Sequence, residues 1–171
     1  MNLFWLDASA LVMRYSAERG SPQINLLFSQ VSGSRLLLVL ESVGEVISVL
    51  VRKRNSGALT KHLFHQAITN FTAEIIYGPS VRKLHPDYQQ VRASWGFIER
   101  YSLNSTDAII LRCALDEAAE LRLLGHDLVL VSADARLIGA AQAEGLRTFN
   151  PETDDRTVLD ALIATPPEPS S

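Results

Sequence analysis

Apolar residues form several short continuous runs along the chain, each too short for a helix. The runs at 3–6, 36–40 and 128–131 do not alternate with polar residues, which is typical of strands buried on both faces of a parallel sheet. A run at 75–77, stopped by Gly and Pro, predicts a further strand, and residues 146–149 predict a short edge strand. The pattern therefore predicts a sheet with a buried centre.

Helical spacing of apolar residues occupies most of the segments between these runs. It extends over 41–54, over about 86–101 and over about 105–124, where a polar residue at 104–106 is suited to cap the helix start. Another helix follows the fourth run and ends at Gly145. Strands that alternate with helices predict an α/β fold, in which a mainly parallel sheet is covered on both faces.

The length of 171 residues suits one domain, and no linker or internal repeat divides the chain. We expect the domain to span 1–151 and a C-terminal extension to occupy 152–171. Residues 165–171 are rich in Pro and nearly free of apolar side chains, so we expect a disordered tail there. The 47% hydrophobic content excludes disorder as a description of the whole chain.

Composition also bounds the compartment and the partners. Cys113 is the single cysteine, so it cannot form an internal disulfide, and its place on an apolar helix face predicts burial. No apolar run approaches the ~20 residues that cross a bilayer, and the N-terminus lacks a secretory leader, which together favour the cytoplasm. The net charge of −3 gives no general attraction for nucleic acid, so a polyanion requires a local basic patch or a metal ion.

Several acidic residues fall where chemistry is expected in an α/β sheet. Asp7 follows the first strand, and Asp134 lies just beyond the fourth, so both would reach the edge where ligands of such sheets bind. Asp107 lies in a first helical turn, and Glu45 lies on the helix after the second strand. Converging carboxylates repel one another unless a divalent cation is present, and oxygen ligands suit Mg²⁺ or Mn²⁺.

Each of these acids also has a purely structural interpretation, which the sequence leaves open. Asp7 is suited to a turn at a strand end, and Asp107 to the charge at a helix N-terminus. Asp134 is suited to cap the next helix. Glu45 on a solvated helix face is suited to pair with Arg52.

The order and the neighbours of these acids resemble a known family. The segments that match are 6–12 (LDASALV), 45–52 (EVISVLVR), 106–111 (TDAIIL) and 130–137 (LVSADARL), the last continuing to Asn150-Pro151. Together they resemble PIN-domain proteins of the VapC toxin type over about 3–151. The resemblance implies a three-layer α/β/α sandwich and a Mg²⁺- or Mn²⁺-dependent endoribonuclease. It further implies an RNA substrate, a cognate antitoxin protein that silences the enzyme, and a homodimer.

The resemblance also assigns residues. Asp7, Glu45, Asp107 and Asp134 match the four acidic positions of the family and are implied as metal ligands and catalytic groups. Ser132 stands where many relatives have threonine and keeps a hydroxyl for a carboxylate or a metal-bound water. Arg136 replaces an acid found in some relatives, which favours one metal ion over two. Glu41, one turn before Glu45, is the alternative helix ligand.

Basic and aromatic residues give a weaker indication of RNA binding. The run 52–54 (RKR), with Arg14 and 82–83 (RK), is suited to form a phosphate track, although solvated helix ends explain such runs as well. Trp5 and Trp95 lie in patterns that predict core positions rather than exposed stacking groups.

Two other classes of protein compete with the nuclease. One is a catalytically inactive module with the same fold that binds RNA or protein, which should respond neither in stability nor in cleavage to Mg²⁺. The other is a phospho-accepting receiver domain, whose sheet also gathers acids at strand ends. A receiver domain requires a lysine after a late strand, and no lysine follows 146–149.

Overall fold

The computed structural model describes residues 1–79 and 81–164 and has a parallel sheet at its centre. Its strands are β1 (Asn2–Leu6), β2 (Leu36–Val39), β3 (Arg82–Leu84), β4 (Asp127–Val131) and β5 (Arg147–Phe149). Their order across the sheet is β3-β2-β1-β4-β5, and every neighbouring pair is parallel. Strand order therefore reverses at β1, which makes the carboxyl ends of β1 and β4 the topological switch point.

Helices cover both faces of the sheet. Those of the described chain are α1 (Ala8–Leu11), α2 (Ser21–Gln30), α3 (Leu40–Asn55), α4 (Lys61–Phe71), α5 (Tyr88–Tyr101), α6 (Ser105–Leu123), α7 (Ala135–Ala143) and α8 (Arg156–Ala164). Two 3₁₀ turns, Val12–Arg14 and Gly33–Arg35, and a π-helical turn, Thr72–Ile76, complete the elements. None of these helices is long and apolar enough to span a membrane, within residues 1–79 and 81–164.

Alternate residues of each central strand point into two separate cores. In β1, Phe4 and Leu6 pack on the face covered by α1–α4 and α8, whereas Leu3 and Trp5 pack on the face covered by α5–α7. Because side chains alternate across a strand, the continuous apolar runs supply both cores at once. The three-layer α/β/α sandwich expected from the sequence is confirmed.

The third strand is not where the sequence predicted it. Residues 75–77 do not form a strand, because the segment continues α4 as the π-helical turn and Ile75 packs into the same core as Phe71, one turn earlier. The strand beside β2 is instead Arg82–Leu84, a polar edge strand. Charged residues at sheet edges discourage pairing with other chains, and they also remove the apolar signal that would have predicted the strand.

Trp95 is a second correction. It is 56% exposed, although its spacing predicted a core position. Helix α5 buries Ser94 and Phe97, which lie together on one face of the helix, about 100° or more around the axis from Trp95, so that Trp95 faces solvent. Cys113 and Trp5 are buried as expected.

The C-terminal part of the described chain packs on the domain. Leu159 and Leu162 of α8 lie in the core that contains Phe4, and the Asn2 amide donates a hydrogen bond of 2.8 Å to the carbonyl of Leu162. The tail predicted at 165–171 lies outside the described residues.

Candidate active site

Asp7 is held at the end of β1 by hydroxyl groups from two strand ends. Its Oδ2 accepts hydrogen bonds from the Ser9 hydroxyl at 2.5 Å, the Ser9 amide at 3.2 Å and the Ser132 hydroxyl at 3.0 Å. The strand register sets this arrangement, because Leu6 lies beside Val131 and the amide of Asp7 donates to the carbonyl of Val131 at 3.0 Å. Asp7 is therefore both the cap of α1 and a fixed carboxylate at the switch point.

The Ser132 and Ser9 hydroxyls connect Asp7 to Asp134. The Ser132 hydroxyl accepts from the amide of Asp134 at 3.0 Å, and the Ser9 hydroxyl accepts from the amide of Ala133 at 2.9 Å. The Asp134 carboxylate accepts from the amides of Arg136 and Leu137 through Oδ1 and so caps α7. The loop after β4 is thus fixed by the same two serines that orient Asp7.

Helix α6 brings Asp107 to the same place. Asn104 caps the helix by accepting from the amide of Asp107 at 2.8 Å, and its own amide group donates to Asp107 Oδ2 at 2.8 Å. Thr106, in the same first turn, lies close enough to Glu45 of α3 to favour the ionised form of that carboxylate. The start of α6 therefore fixes Asp107 and brings it to the same place as Glu45.

These carboxylates share one open pocket of about 320 Å³. Its walls come from the ends of β1, α3, the start of α6 and the loop after β4, and are formed by Asp7, Ala8, Ser9, Glu45, Ser48, Val49, Arg52, Asn104, Asp107 and Asp134. All four acids predicted from the sequence line it. Ser132 is buried and contacts the Asp7 carboxylate, but it does not line the pocket. Glu41 is exposed and does not line the pocket either.

Burial and mutual repulsion disfavour the ionised forms of three of these acids. Burial raises the pKa of Asp7, although the hydrogen bonds from the two serines partly oppose it. Burial and then the charge of Asp7 raise the pKa of Glu45. Burial, followed by the charges of Asp7, Asp134 and Glu45, raises the pKa of Asp107 to about 7. The pocket therefore concentrates negative charge that the protein does not neutralise.

The comparison with known proteins rests on structure. No protein-family model and no curated protein sequence matches the chain. PAE2754 from Pyrobaculum aerophilum is 18% identical with a TM-score of 0.61, and the match covers 95% of this chain and 90% of that protein. VapC20 from Mycobacterium tuberculosis, a sarcin-ricin loop cleaving toxin, is 15% identical with a TM-score of 0.58 over 84% and 95%. The chain has a PIN-like fold.

A toxin–antitoxin complex from Klebsiella pneumoniae is also similar, at 18% identity and a TM-score of 0.53, over 86% of this chain and 96% of that one. The solved neighbours of this PIN-like chain include proteins of toxin–antitoxin systems. The resemblance identified in the sequence is thus confirmed at the level of fold.

Sequence reasoning missed part of the acidic pocket. Ser9 and Asn104 hold Asp7 and Asp107 in place, and Thr106 favours the ionised form of Glu45, whereas the sequence pattern predicted only a motif position or a capping role for these residues. Short polar side chains directly beside each acid were the available signal, since such neighbours are suited to donate hydrogen bonds to it.

Proposed function

We propose that this chain is a Mg²⁺- or Mn²⁺-dependent endoribonuclease that hydrolyses RNA phosphodiesters and acts as the toxin of a toxin–antitoxin pair. The observation that supports it most is the pocket in which Asp7, Glu45, Asp107 and Asp134 repel one another at the switch point of the sheet. The similarity to a sarcin-ricin loop cleaving toxin supports RNA as the substrate.

The donor set fits a hard divalent cation. Within residues 1–79 and 81–164, no three His, Cys, Asp or Glu side chains form a ready-made arrangement for a metal ion. Mg²⁺ does not require one, because proteins usually hold it through one or two carboxylates while it keeps several waters. One or two of Asp7, Glu45, Asp107 and Asp134 would hold the ion directly, and the others would hold it through its bound waters.

A bound divalent cation would supply charge neutralisation for the phosphate and a lower pKa for the attacking water. The protein's own groups do the remaining work. Ser9 and Ser132 fix the Asp7 carboxylate, so little reorganisation is required when substrate binds. A carboxylate of the pocket that does not contact the ion can accept the proton of the attacking water.

Two partners belong to the proposal. A cognate antitoxin would cover the acidic pocket, and a second copy of the chain would complete a homodimer. The structural similarity to a toxin–antitoxin complex supports the antitoxin.

The test is cleavage of a labelled RNA by the purified protein with Mg²⁺, with Mn²⁺ and with EDTA. We expect cleavage with either cation and none with EDTA. Asp7→Asn should reduce the rate by more than ~100-fold while leaving the melting temperature in EDTA unchanged or higher, because it removes a ligand and a buried charge. Asp160→Asn is the matched control, since Asp160 is a half-exposed residue of α8 that does not line the pocket and pairs with Arg156 at 3.4 Å.

Mg²⁺ should also raise the melting temperature of the wild-type protein by mass action, and less so that of Asp7→Asn. Equal cleavage by wild type and Asp7→Asn would overturn the proposal. RNA binding without cleavage, and without stabilisation by Mg²⁺ or Mn²⁺, would favour the inactive binding module instead.

A further inference from the structure

We propose that Arg52 and Arg136 bind RNA phosphates beside the acidic pocket and so position the strand for cleavage. The proposal rests on the proposed function and adds to it the groups that hold the substrate. Four carboxylates in one pocket repel a phosphodiester, so a site of this kind requires fixed cations at its border in addition to a metal ion.

Arg52 is the basic residue among the side chains that line the pocket. It lies about two turns after Glu45 on α3 and therefore on the same face of the helix. Its charge acts on Glu45, yet no ion pair within 4.0 Å engages it in the described part of the chain. The guanidinium is thus next to the carboxylates without being neutralised by one of them.

The other basic groups singled out in the sequence have partners of their own. Arg14 pairs with Glu74 at 3.0 Å, Lys53 with Glu18 at 2.9 Å and Arg82 with Glu117 at 3.0 Å, whereas Lys83 donates to the carbonyl of Gly78 at 2.8 Å and Arg54 donates to Asn55 at 3.0 Å. Apart from the contact of Arg54 with the adjacent Asn55, these contacts join separate segments of the chain. They leave Arg52 as the member of that set which borders the acids.

Arg136 does not line the pocket, but it lies close to two of its acids from a different element. Its backbone amide donates to the Asp134 carboxylate at 2.8 Å, so it stands in the first turn of α7. Its side chain is exposed, reaches the carbonyl of Ser102 at 3.5 Å, and acts electrostatically on Asp107. The two arginines therefore border the carboxylates from α3 and from α7.

Phosphate is the ligand that this pattern fits. Arginine binds phosphate oxygens through two parallel N–H donors, and a chain with one phosphate per nucleotide can contact both arginines while a third phosphate lies at the acids. An acidic peptide offers carboxylates to the arginines, but it has no diester to present to a metal ion. We therefore assign the arginines to RNA.

The experiment measures binding of a fluorescein-labelled, mixed-sequence, single-stranded RNA of 12 nucleotides by anisotropy. Ca²⁺ replaces Mg²⁺ as the divalent cation, and NaCl is varied. The variants are Arg52→Gln, Arg136→Gln and Arg52→Lys. The controls are Arg54→Gln, on the same helix but turned away from Glu45, and Arg147→Gln, an exposed arginine of β5.

Arg52→Gln and Arg136→Gln should each weaken binding by about threefold or more and lower the slope of log K against log salt by about 0.7, the loss of one single-strand phosphate contact. Arg52→Lys should keep the slope, because it keeps the charge. The controls should match wild type in both affinity and slope. The melting temperatures of the Arg52 and Arg136 variants should equal that of wild type, which separates substrate binding from a structural role; Arg54→Gln can lower the melting temperature, because it removes the contact of Arg54 with the Phe64 ring.

Unchanged salt slopes in Arg52→Gln and Arg136→Gln would overturn this inference, and so would equal losses of RNA affinity in the two controls. Either result leaves the nuclease proposal intact if the wild type cleaves RNA. Arginine-dependent binding by a protein that cleaves no RNA would support the inference and overturn the nuclease proposal. Tighter binding of a labelled acidic 12-residue peptide than of RNA, lost in both variants, would overturn the inference in favour of a protein partner.

Discussion

Glu74 and the carboxylates of the acidic pocket have opposite electrostatic surroundings. Glu74, in the π-helical turn, accepts hydrogen bonds from the Arg14 guanidinium at 3.0 and 3.2 Å and from the Tyr15 hydroxyl at 2.7 Å. Burial alone would raise the pKa of Glu74, but these donors outweigh it and hold the pKa below its ordinary value. In the acidic pocket, by contrast, burial and neighbouring acids raise the pKa of Asp107 to about 7.

The difference separates an acid that stabilises the fold from acids that await a ligand. Glu74 has its counter-charge within the chain, so ionisation favours the folded state. The pocket acids have hydrogen-bond donors but a deficit of positive charge, so the folded state becomes more favourable only when a cation arrives. Whether a buried carboxylate stabilises the fold or binds a ligand is therefore indicated by whether the chain itself supplies a positive charge beside it.

The largest effect expected from this contrast is on catalysis. Glu45→Gln should lower the rate of Mg²⁺-dependent RNA cleavage by more than ~100-fold, because it removes one of the carboxylates that would hold the ion. Glu41→Gln is the matched control, one turn earlier on α3 and exposed outside the pocket, and should change the rate less than about twofold. Single-turnover cleavage measures both. A larger loss in Glu41→Gln would assign the helix ligand to Glu41.

The next effect is on stability and concerns Glu74. Glu74→Gln should lower the free energy of unfolding by about 1–2 kcal/mol, since it leaves Arg14 without its counter-charge and weakens the acceptor for Tyr15. This figure is reduced for the partial exposure of the ion pair, whose side chains are 30% and 36% accessible. Urea denaturation at pH 7 is the measurement. Cleavage by the remaining folded enzyme should stay within about twofold of wild type.

The smallest effect has the opposite sign. In EDTA at pH 7.5, Asp107→Asn should raise the free energy of unfolding by about 1 kcal/mol, or the melting temperature by about 2–4 °C, because it removes a repelled charge. The raised pKa of Asp107 means that the folded state binds its proton more tightly than the unfolded state does. The free energy of unfolding of the wild type should therefore fall as the pH rises from about 4 to about 7. This contribution to the fall should be absent in Asp107→Asn. A destabilised variant would contradict the contrast.

Strand ends were the part of the site most open to prediction from sequence. Asp7 and Asp134 follow apolar runs whose direction and burial are set locally, and parallel strands bring their carboxyl ends to one edge. Helix residues are harder to place, because successive side chains of a helix point in directions about 100° apart. An error of one position in the predicted helix face therefore changes which residues are buried. The same ambiguity left Glu41 open beside Glu45 and placed Trp95 in the core.

Other features have no local signal at all. Strand β3 is polar and becomes a strand only because β2 offers it an unpaired edge. The π-helical turn likewise depends on tertiary contacts, in which Arg14 and Tyr15 reach Glu74 from another segment. Sequence patterns describe local preference, and both of these elements exist because of a neighbour.

The attachment of α8 has a practical consequence for anyone who trims this protein. Ending the polypeptide at residue 151, the boundary that the sequence favours, would uncover the core around Phe4 and deprive the Asn2 amide of its acceptor, the Leu162 carbonyl. The first strand is also the one that presents Asp7. A shortened version is therefore expected to aggregate or to lose the geometry of its acids, and its inactivity would reveal nothing about which side chains cut RNA.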